Sequence, residues 1–302
     1  MVYLKKIREH SDVIDFIGND KIIINDIIQL DAANQRDDVL YWCSDKNIDS
    51  LGLCTAGTII CSQEIKKTNY INLNCNYIIV KNPRSFFSQV LRNYFAPEVP
   101  LPIISSKAVV HPSVSIGENV FIGDFTVIEK NCVIGNNTYI GYNNTILAKT
   151  VVGTNVKIGN NNTIGGVGFG YEKDENGNYE VLPHIGNVLI YDKVEIGNNT
   201  CIDRAVLGST IIHENVKIDN LVHIAHGVVI QENSLIIAHA MIGGSAEIGK
   251  NVWIAPGALI INKGKVEDDS VVGMGAVVIK KVDKRAIVAG NPAKFLKNIE
   301  KD

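Results

Sequence analysis

The sequence predicts a mainly β protein, a left-handed parallel β-helix of hexapeptide repeats preceded by a small α/β domain. Two observations predict the β-helix: Ile or Val at every sixth position, and turn-favouring Gly and Asn after these positions. The period holds over ten positions up to Ile164 and over thirteen more from Val206. The predicted inward positions are Val110, Ile116, Ile122, Ile128, Ile134, Ile140, Ile146, Val152, Ile158, Ile164, Val206, Ile212, Ile218, Ile224, Ile230, Ile236, Ile242, Ile248, Ile254, Ile260, Val266, Val272 and Val278.

A six-residue period is not that of an ordinary helix or strand, whose side-chain periods are about 3.6 and 2 residues. In a parallel β-helix each hexapeptide supplies one short strand, and three strands close a coil of about 18 residues. The turns read Gly-Glu-Asn at 117–119 and Gly-Asn-Asn at 135–137, 159–161 and 197–199. Because Gly and Asn tolerate a positive φ best, these turns favour the left-handed form.

The rest of the chain divides around this repeat. Residues 1–100 lack the period and predict a small α/β domain. Its predicted elements are strands at 21–24, 39–43, 58–61 and 77–80 and a closing helix at 84–95 with one apolar face. A linker marked by Pro97, Pro100 and Pro102 leads to the β-helix at 101–282. The tail at 283–302 is expected to cap the last coil and cover its edge.

An inserted loop interrupts the repeat at 165–189. Ile190, Ile196 and Ile202 keep the six-residue spacing but are shifted in phase. The loop is rich in glycine and aromatic residues, and functional residues concentrate on loops carried by rigid scaffolds. Phe169 and Tyr171 are therefore candidates for stacking on a substrate ring. The alternative is a hairpin that only covers one face of a coil.

Composition excludes several functions. The net charge is −3 with both signs mixed along the chain, so neither nucleic-acid binding nor a polybasic membrane anchor is expected. Charges interrupt every apolar run near the N-terminus, which predicts no signal peptide and no membrane span, and a cytoplasmic protein. The cysteines form no C-x-x-C pair, so neither a zinc site nor a disulfide framework is expected. They are Cys43, Cys54, Cys61, Cys75, Cys132 and Cys201.

Three histidines lie close together in the sequence, namely His223, His226 and His239. Ile224 is an inward position, so His226 is predicted near the following corner, which in a trimeric β-helix faces the groove between subunits. An imidazole in such a groove is suited to act as a general base near neutral pH. Two alternatives stay open: the histidines fill a subunit interface, or they bind a metal. Metal binding is disfavoured because no supporting carboxylates accompany them.

Four sequence motifs together indicate a specific protein family. They are GFGY at 168–171, LPHIGNV at 182–188, VEIGNNTCIDRA at 194–205 and IDNLVHIAHGV at 218–228. Within the hexapeptide acyltransferase superfamily, this combination resembles the UDP-3-O-acylglucosamine N-acyltransferase family of lipid A synthesis. KNPRSFFSQVLRNYF at 81–95 is similar to the helix that precedes the coils in that family. The resemblance covers nearly the whole chain.

The resemblance implies a homotrimer with active sites between subunits and no metal. His226 would deprotonate the amine of a nucleotide-linked sugar while that nitrogen attacks a thioester, and Gly244 is the suggested backbone donor to the oxyanion. The substrate-binding residues it implies are Phe169, Tyr171, His184, Asp203, Asn220, His223 and His239 in the coils, and Trp42 and Asp45 in the N-terminal domain.

Two departures concern the nucleotide and a second histidine. In this family one segment of the N-terminal domain binds uracil through an aromatic residue, an asparagine and a second aromatic residue, in that order along the chain. Here Trp42 keeps the first aromatic, while Asp45 replaces the asparagine and Ile48 replaces the second aromatic. The family's second histidine is missing from the matching segment at 261–265.

The C-terminal tail, VAGNPAKFLKN at 288–298, resembles the tail of acetyl-CoA-dependent sugar acetyltransferases. That likeness implies a coenzyme A site at Gly244, Ala255, Gly257, Gly273, Lys280, Lys281 and Lys294, with the lysines meeting phosphates. The favoured hypothesis is therefore an acetyl-CoA-dependent N-acetyltransferase acting on a UDP- or dTDP-linked amino sugar for surface polysaccharide. The first alternative is the lipid A enzyme, which takes a hydroxyacyl chain from acyl carrier protein. The second is a solenoid scaffold without turnover.

Overall fold

The structure is a computed structural model that describes residues 1–28, 35–96 and 100–300. The chain forms two compact units, Met1–Val99 and Pro100–Asp302. Of the predicted linker prolines, Pro97 lies outside the described residues, whereas Pro100 and Pro102 begin the second unit. Among the described residues no helix is both long and apolar enough to cross a bilayer.

The first unit is built on a five-stranded sheet. In spatial order its strands are Val13–Ile17, Cys75–Val80, Gly57–Cys61, Val39–Trp42 and Asp26–Ile27, of which only the first is antiparallel to its neighbour. Smaller elements are the strands Val2–Tyr3 and Ile23–Ile24, the helices Leu4–Arg8 and Pro83–Val90, the 3₁₀ segments Asp45–Leu53 and Gln63–Lys67, and the π-helical turn Leu91–Phe95.

Both faces of this sheet are buried, as the alternation along its strands requires. Tyr41, Ile59 and Tyr77 join one apolar cluster, whereas Leu40, Ile60 and Ile78 join the other, where helix Pro83–Val90 packs through Phe86. The helix starts where Asn82 accepts a hydrogen bond from the Ser85 N–H at 3.1 Å, with Pro83 at its first position. The predicted helix at 84–95 is thus α-helical only to Val90.

The second unit is a three-sided coil, and its three parallel sheets are named here in the order in which the chain meets them. The first face contains Val109–Val110, Val127–Ile128, Thr145–Ile146, Thr163–Val167, Cys201–Arg204, His223–Ile224, Met241–Ile242, Leu259–Ile260 and Val277–Val278. The second face contains Ser115–Ile116, Val133–Ile134, Val151–Val152, Asn187–Ile190, Ser209–Ile212, Val229–Ile230, Glu247–Ile248 and Lys265–Val266. The third face contains Phe121–Ile122, Tyr139–Ile140, Lys157–Ile158, Glu195–Ile196, Lys217–Ile218, Leu235–Ile236, Trp253–Ile254, Val271–Val272, Ala286–Ala289 and the antiparallel Lys294–Asn298.

The second residue of most strands points into one continuous apolar column along the coil axis. Between faces, the corners place one residue in the left-handed region at six-residue intervals, such as Asn131, Asn137 and Asn143 at φ 61°, 55° and 55°. Gly227 and Gly257 hold the same conformation at other corners. The predicted left-handed β-helix is therefore confirmed.

One detail of the predicted repeat is wrong. Val206 is not an inward position: the buried column runs through Ile190, Ile196 and Ile202 and resumes at Ile212. The chain leaves the coil twice, once between Ile164 and Ile190 and again between Ile202 and Ile212. The first excursion adds about twenty residues and the second about four. Because their sum is a multiple of six, the inward positions after Ile212 have the same phase as those before Ile164. Val206 matches this phase by coincidence.

Candidate active site

Both excursions leave the coil at the same place, the corner between the first and second faces. The first contains the hairpin Tyr171–Lys173 with Tyr179–Val181, and the second follows Cys201–Arg204. On the next coil this corner begins after Ile224, whose side chain is fully buried, and carries His226 with an incompletely buried side chain. Gly227, at φ 69°, then turns the chain toward the second face. The sequence periodicity thus placed His226 correctly at a corner.

Two glycines leave room for the His226 ring. A Cβ atom on Gly244, one coil further on, would lie 2.7 Å from His226 Nε2 and 2.8 Å from its Cε1. A Cβ atom on Gly168, in the inserted loop, would lie 3.0 Å from His226 Cβ and 3.0 Å from its Cδ2. Both distances are shorter than ordinary van der Waals contacts. The ring is therefore held between two stretches of backbone that any larger residue would push apart.

The predicted oxyanion donor at this corner, the Gly244 N–H, has a hydrogen-bond partner within the chain, and its role stays a prediction. The Gly244 N–H already donates to Asn262 Oδ1 at 2.9 Å. The N–H groups of Gly243 and Ser245 donate to Ile260 O and His226 O at 2.9 and 2.8 Å. The donors of Gly243 and Ser245 close the coil ladder, and Gly244 also leaves the space that the His226 ring occupies.

A second histidine lies against His226. The ring of His184 packs nearly perpendicular to it, with a centroid distance of 5.3 Å and an interplanar angle of 80°. His184 Nδ1 lies 2.7 Å from the carbonyl oxygen of Leu182. Its Nε2 is buried and has no hydrogen-bond partner among the described residues. The motif containing His184 thus reaches the site, although no feature of the sequence indicated that the ring would be buried.

A carboxylate completes the cluster. Asp203 Oδ2 lies 3.7 Å from His223 Nε2, with side-chain exposures of 14% and 46%. Burial raises the pKa of Asp203, and positive charge on His223, His226 or His184 opposes this shift. Burial lowers the pKa of His226, a positive charge on His184 would lower it further, and the Asp203 carboxylate raises it. The corner therefore holds an imidazole whose pKa is lowered by burial, close to a partly buried carboxylate, which suits a general base near neutral pH.

We expect the activity to depend on pH through His226. Only the neutral ring accepts a proton, and its pKa lies below the ordinary value of 6.5, so the acidic limb of kcat/KM is expected below pH 6.5. Asp203→Asn removes the charge that raises this pKa, so the limb should move to lower pH and the plateau should fall about tenfold or more. Steady-state rates from pH 5 to 9 measure both effects. A limb that stays in place in Asp203→Asn would contradict the proposed coupling.

Phe169 and Tyr171 are exposed on the inserted loop and pack against each other. Phe169 is 89% exposed, and its ring centroid lies 4.9 Å from that of Tyr171. The two rings are placed where a ligand at His226 would meet the loop, because Gly168 in the same motif contacts that histidine. Their predicted stacking on a substrate ring stays a prediction.

Asn220 and His239 lie elsewhere, at the corner between the third and first faces. Asn220 Oδ1 accepts hydrogen bonds from the backbone N–H and the side chain of Asn198, at 2.7 and 2.9 Å. Asn220 Nδ2 donates to Asp219 at 2.9 Å, so its amide is already used in the ladder. His239 takes the left-handed corner position at φ 61°. A site that combined these residues with His226 would need corners from two copies of the chain.

The predicted coenzyme A residues also divide between corners. Ala255, Gly257 and Gly273 share the corner of His239, whereas Lys280 shares that of His226 and Gly244, two coils beyond Gly244. Lys281 is paired with Glu267 and Asp283 at 2.8 and 3.3 Å. Lys280, Lys281 and Lys294 line a cleft of about 300 Å³ near the C-terminal cap. The three lysines thus line one cleft, and the predicted glycines are not part of its lining.

In the N-terminal unit, Trp42 stacks on Phe87 of the helix with a centroid distance of 5.9 Å and an angle of 23°. Trp42 remains 36% exposed. Asp45 begins a 3₁₀ segment and accepts a hydrogen bond from the Ser62 hydroxyl, while Ile48 packs against the apolar cluster. These two departures from the family pattern therefore have structural partners of their own. Among the described residues, no group of three His, Cys, Asp or Glu side chains is placed to hold a metal ion.

Gly168 and Leu182 were missed as site residues. Gly168 brings the loop backbone to both histidines, and Leu182 fixes the His184 ring through its carbonyl oxygen. A signal for Gly168 was present, because glycines on both sides of Phe169 suggest close backbone approach. A backbone carbonyl leaves no signal of this kind in the sequence.

Comparison with known proteins agrees with this geometry. The family model described as bacterial transferase hexapeptide (six repeats) matches residues 131–166 and 209–244. A protein named UDP-3-O-acylglucosamine N-acyltransferase from Campylobacter lari is 40% identical, over 95% of this chain and 94% of its own length. Its namesake from Desulfotalea psychrophila is 36% identical, over 95% and 87%. Among solved structures, a UDP-N-acetylglucosamine acyltransferase from Bacteroides fragilis superposes with a TM-score of 0.59 at 27% identity, covering 65% of this chain and 74% of that one.

These relatives correct the favoured functional hypothesis. The acetyl-CoA-dependent N-acetyltransferase prediction is wrong, because proteins similar over nearly the whole chain carry the name given in the first alternative. The misleading signal was the tail, where Lys294–Asn298 pairs with Ala286–Ala289. Any solenoid must cover its last edge in such a way, so a capping sequence carries little information about the acyl donor. The chain is an acyltransferase that takes an acyl donor, and it belongs to the UDP-3-O-acylglucosamine N-acyltransferase family.

Proposed function

We propose that this chain transfers an acyl group from an acyl carrier protein to the amino group of UDP-3-O-acylglucosamine, with His226 as general base. The observation that carries the proposal is the half-buried imidazole of His226 at a coil corner, held between Gly168 and Gly244, with the partly buried Asp203 carboxylate close enough to raise its pKa. Proteins named UDP-3-O-acylglucosamine N-acyltransferase that are similar in sequence over nearly the whole chain support it.

The chemistry follows from these two side chains. The sugar amine attacks the thioester carbonyl carbon while His226 accepts a proton from the nitrogen. The C–S bond then breaks, and the proton passes from His226 to the leaving thiolate, so that an amide and a free thiol result. The Asp203 carboxylate stabilises the imidazolium that exists between these two steps.

The first face supports a trimer as part of the proposal. On the two coils after His226 its outward side chains are apolar, with Met241 and Leu259 each more than a third exposed and Ile261 about half exposed at the following corner. A neighbouring copy packed on this face would bury them and close the crevice around His226. Light scattering coupled to gel filtration should therefore report a trimer, and a monomer at micromolar concentration would contradict this part.

The donor and the acceptor are tested together. The protein is incubated with UDP-3-O-(hydroxyacyl)glucosamine and either hydroxyacyl-acyl carrier protein or acetyl-CoA, and the free thiol is followed. We expect thiol release with the carrier protein at a rate at least about 100-fold above that with acetyl-CoA, because remote binding energy of the correct donor is used in the transition state. Faster turnover with acetyl-CoA, or none with either donor, would overturn the proposal.

A further inference from the structure

His184 is a buried polar side chain with one ring nitrogen unused. Only 6% of the residue is exposed. Its Nδ1 lies 2.7 Å from the Leu182 carbonyl oxygen, which can only accept, so Nδ1 carries the hydrogen. Nε2 is then an acceptor, and it has neither solvent nor a partner among the described residues. A proton on Nε2 would be buried without an acceptor, which is the less favourable arrangement. Because unpaired buried acceptors are costly, this one calls for a reason.

The loop backbone is shaped to bring this nitrogen to His226. A Cβ atom on Gly168 would lie 2.9 Å from His184 Nε2 and 3.0 Å from two atoms of His226. A Cβ atom on Gly170 would lie 3.2 Å from His184 Cε1. The two glycines that flank Phe169 thus let the loop pass close to both rings, which lie 5.3 Å apart. Simple filling of space would need neither glycine nor an imidazole.

We propose that His184 is a positioning residue for His226: its fixed tautomer turns the Nε2 lone pair toward the base and stabilises the imidazolium formed there. The inference rests on the proposed function for its catalytic consequence. The negative end of the His184 ring dipole is set before the reaction, so no reorganisation is needed when charge develops. His184 neither gains nor loses a proton, because the proton moves from the amine nitrogen to His226 and then to the leaving thiolate.

Two variants of similar size separate this role from packing. His184→Gln retains an acceptor oxygen near the position of Nε2, whereas His184→Leu removes it. We expect His184→Leu to lower kcat about 10- to 100-fold with the KM of both substrates little changed, and His184→Gln to recover much of this loss. Circular dichroism and thermal unfolding confirm that each variant folds, and His184→Phe replaces the Leu variant if that one does not. Equal activity of the Gln and Leu variants would overturn the proposal.

A measurement without substrate gives an independent answer. The pKa of His226 is followed by NMR titration of the imidazole resonances, which are assigned by their loss in His226→Ala. Without the Nε2 lone pair the imidazolium is less stable, so the pKa should fall by about half a pH unit or more in His184→Leu and return in His184→Gln. An unchanged or higher pKa in His184→Leu would overturn the inference. If the pKa falls but the unaltered protein transfers no acyl group, the proposed function fails and the coupling of the two histidines stands.

Discussion

His226→Ala is expected to lower kcat/KM for acyl transfer by about two to four orders of magnitude. The loss has a specific cause, because the side chain removed is the imidazole that lies between the Gly168 and Gly244 backbones with Asp203 nearby. At high pH, hydroxide is available to accept the proton that the amine nitrogen loses during attack. Part of the lost rate should therefore return as the pH rises, and thiol release measured from pH 6 to 10 tests both expectations.

A suitable control is His213→Ala. His213 stacks on Tyr191 with a centroid distance of 5.0 Å and an angle of 8°, at the corner between the second and third faces. Its removal takes away an imidazole of the same kind from a place without site residues, so the rate should stay within about twofold. Near-normal turnover of His226→Ala would remove this residue from the base role. An equal loss in both variants would point to general destabilisation.

Gly244→Ala is expected to cost about 100-fold in kcat although it removes no functional group. The added methyl carbon would lie 2.7 Å from His226 Nε2, so the ring must move, and a displacement of about 1 Å is enough for such a loss. The backbone around Gly244 is held by the coil ladder and by Asn262, so the ring is the part that gives way. Single-turnover measurements of the chemical step, with both substrates saturating, measure this effect.

Gly166→Ala provides the steric control for this change. A Cβ atom there would meet nothing closer than Asp203 Oδ1 at 3.4 Å, an ordinary contact that leaves the carboxylate in place, so the variant should retain activity within a few-fold. Both variants should also keep their thermal unfolding temperature within a few degrees. If Gly244→Ala were as active as the control, the close fit around the His226 ring would have no catalytic meaning.

The sequence was sufficient for the coil and for its principal histidine. A six-residue period of β-branched residues has one structural solution, and that solution places Ile224 inside and His226 at the next corner. The same period gave a wrong inward position at Val206. The lengths of the two excursions add to a multiple of six, so the six-residue pattern shows no shift that would reveal the second excursion.

The surroundings of His226 depend on contacts that periodicity does not encode. The distance between the His184 and His226 rings is set by the path of the inserted loop, which has no repeat. The backbone N–H of Gly244 could not be judged from sequence either, because its partner Asn262 comes from the following coil. The acyl donor was wrongly predicted from the tail. The tail sequence reflects its function as an end cap of the coil, and it does not indicate the donor.

The two excursions leave from one corner on successive coils, directly before the coil that carries His226. In a stack where each coil contacts only its neighbours, loops of any length can be added at such a corner without breaking the ladder elsewhere. Changes in the length of these two loops can therefore alter the entrance to the proposed catalytic centre, while the coils and His226 stay in place.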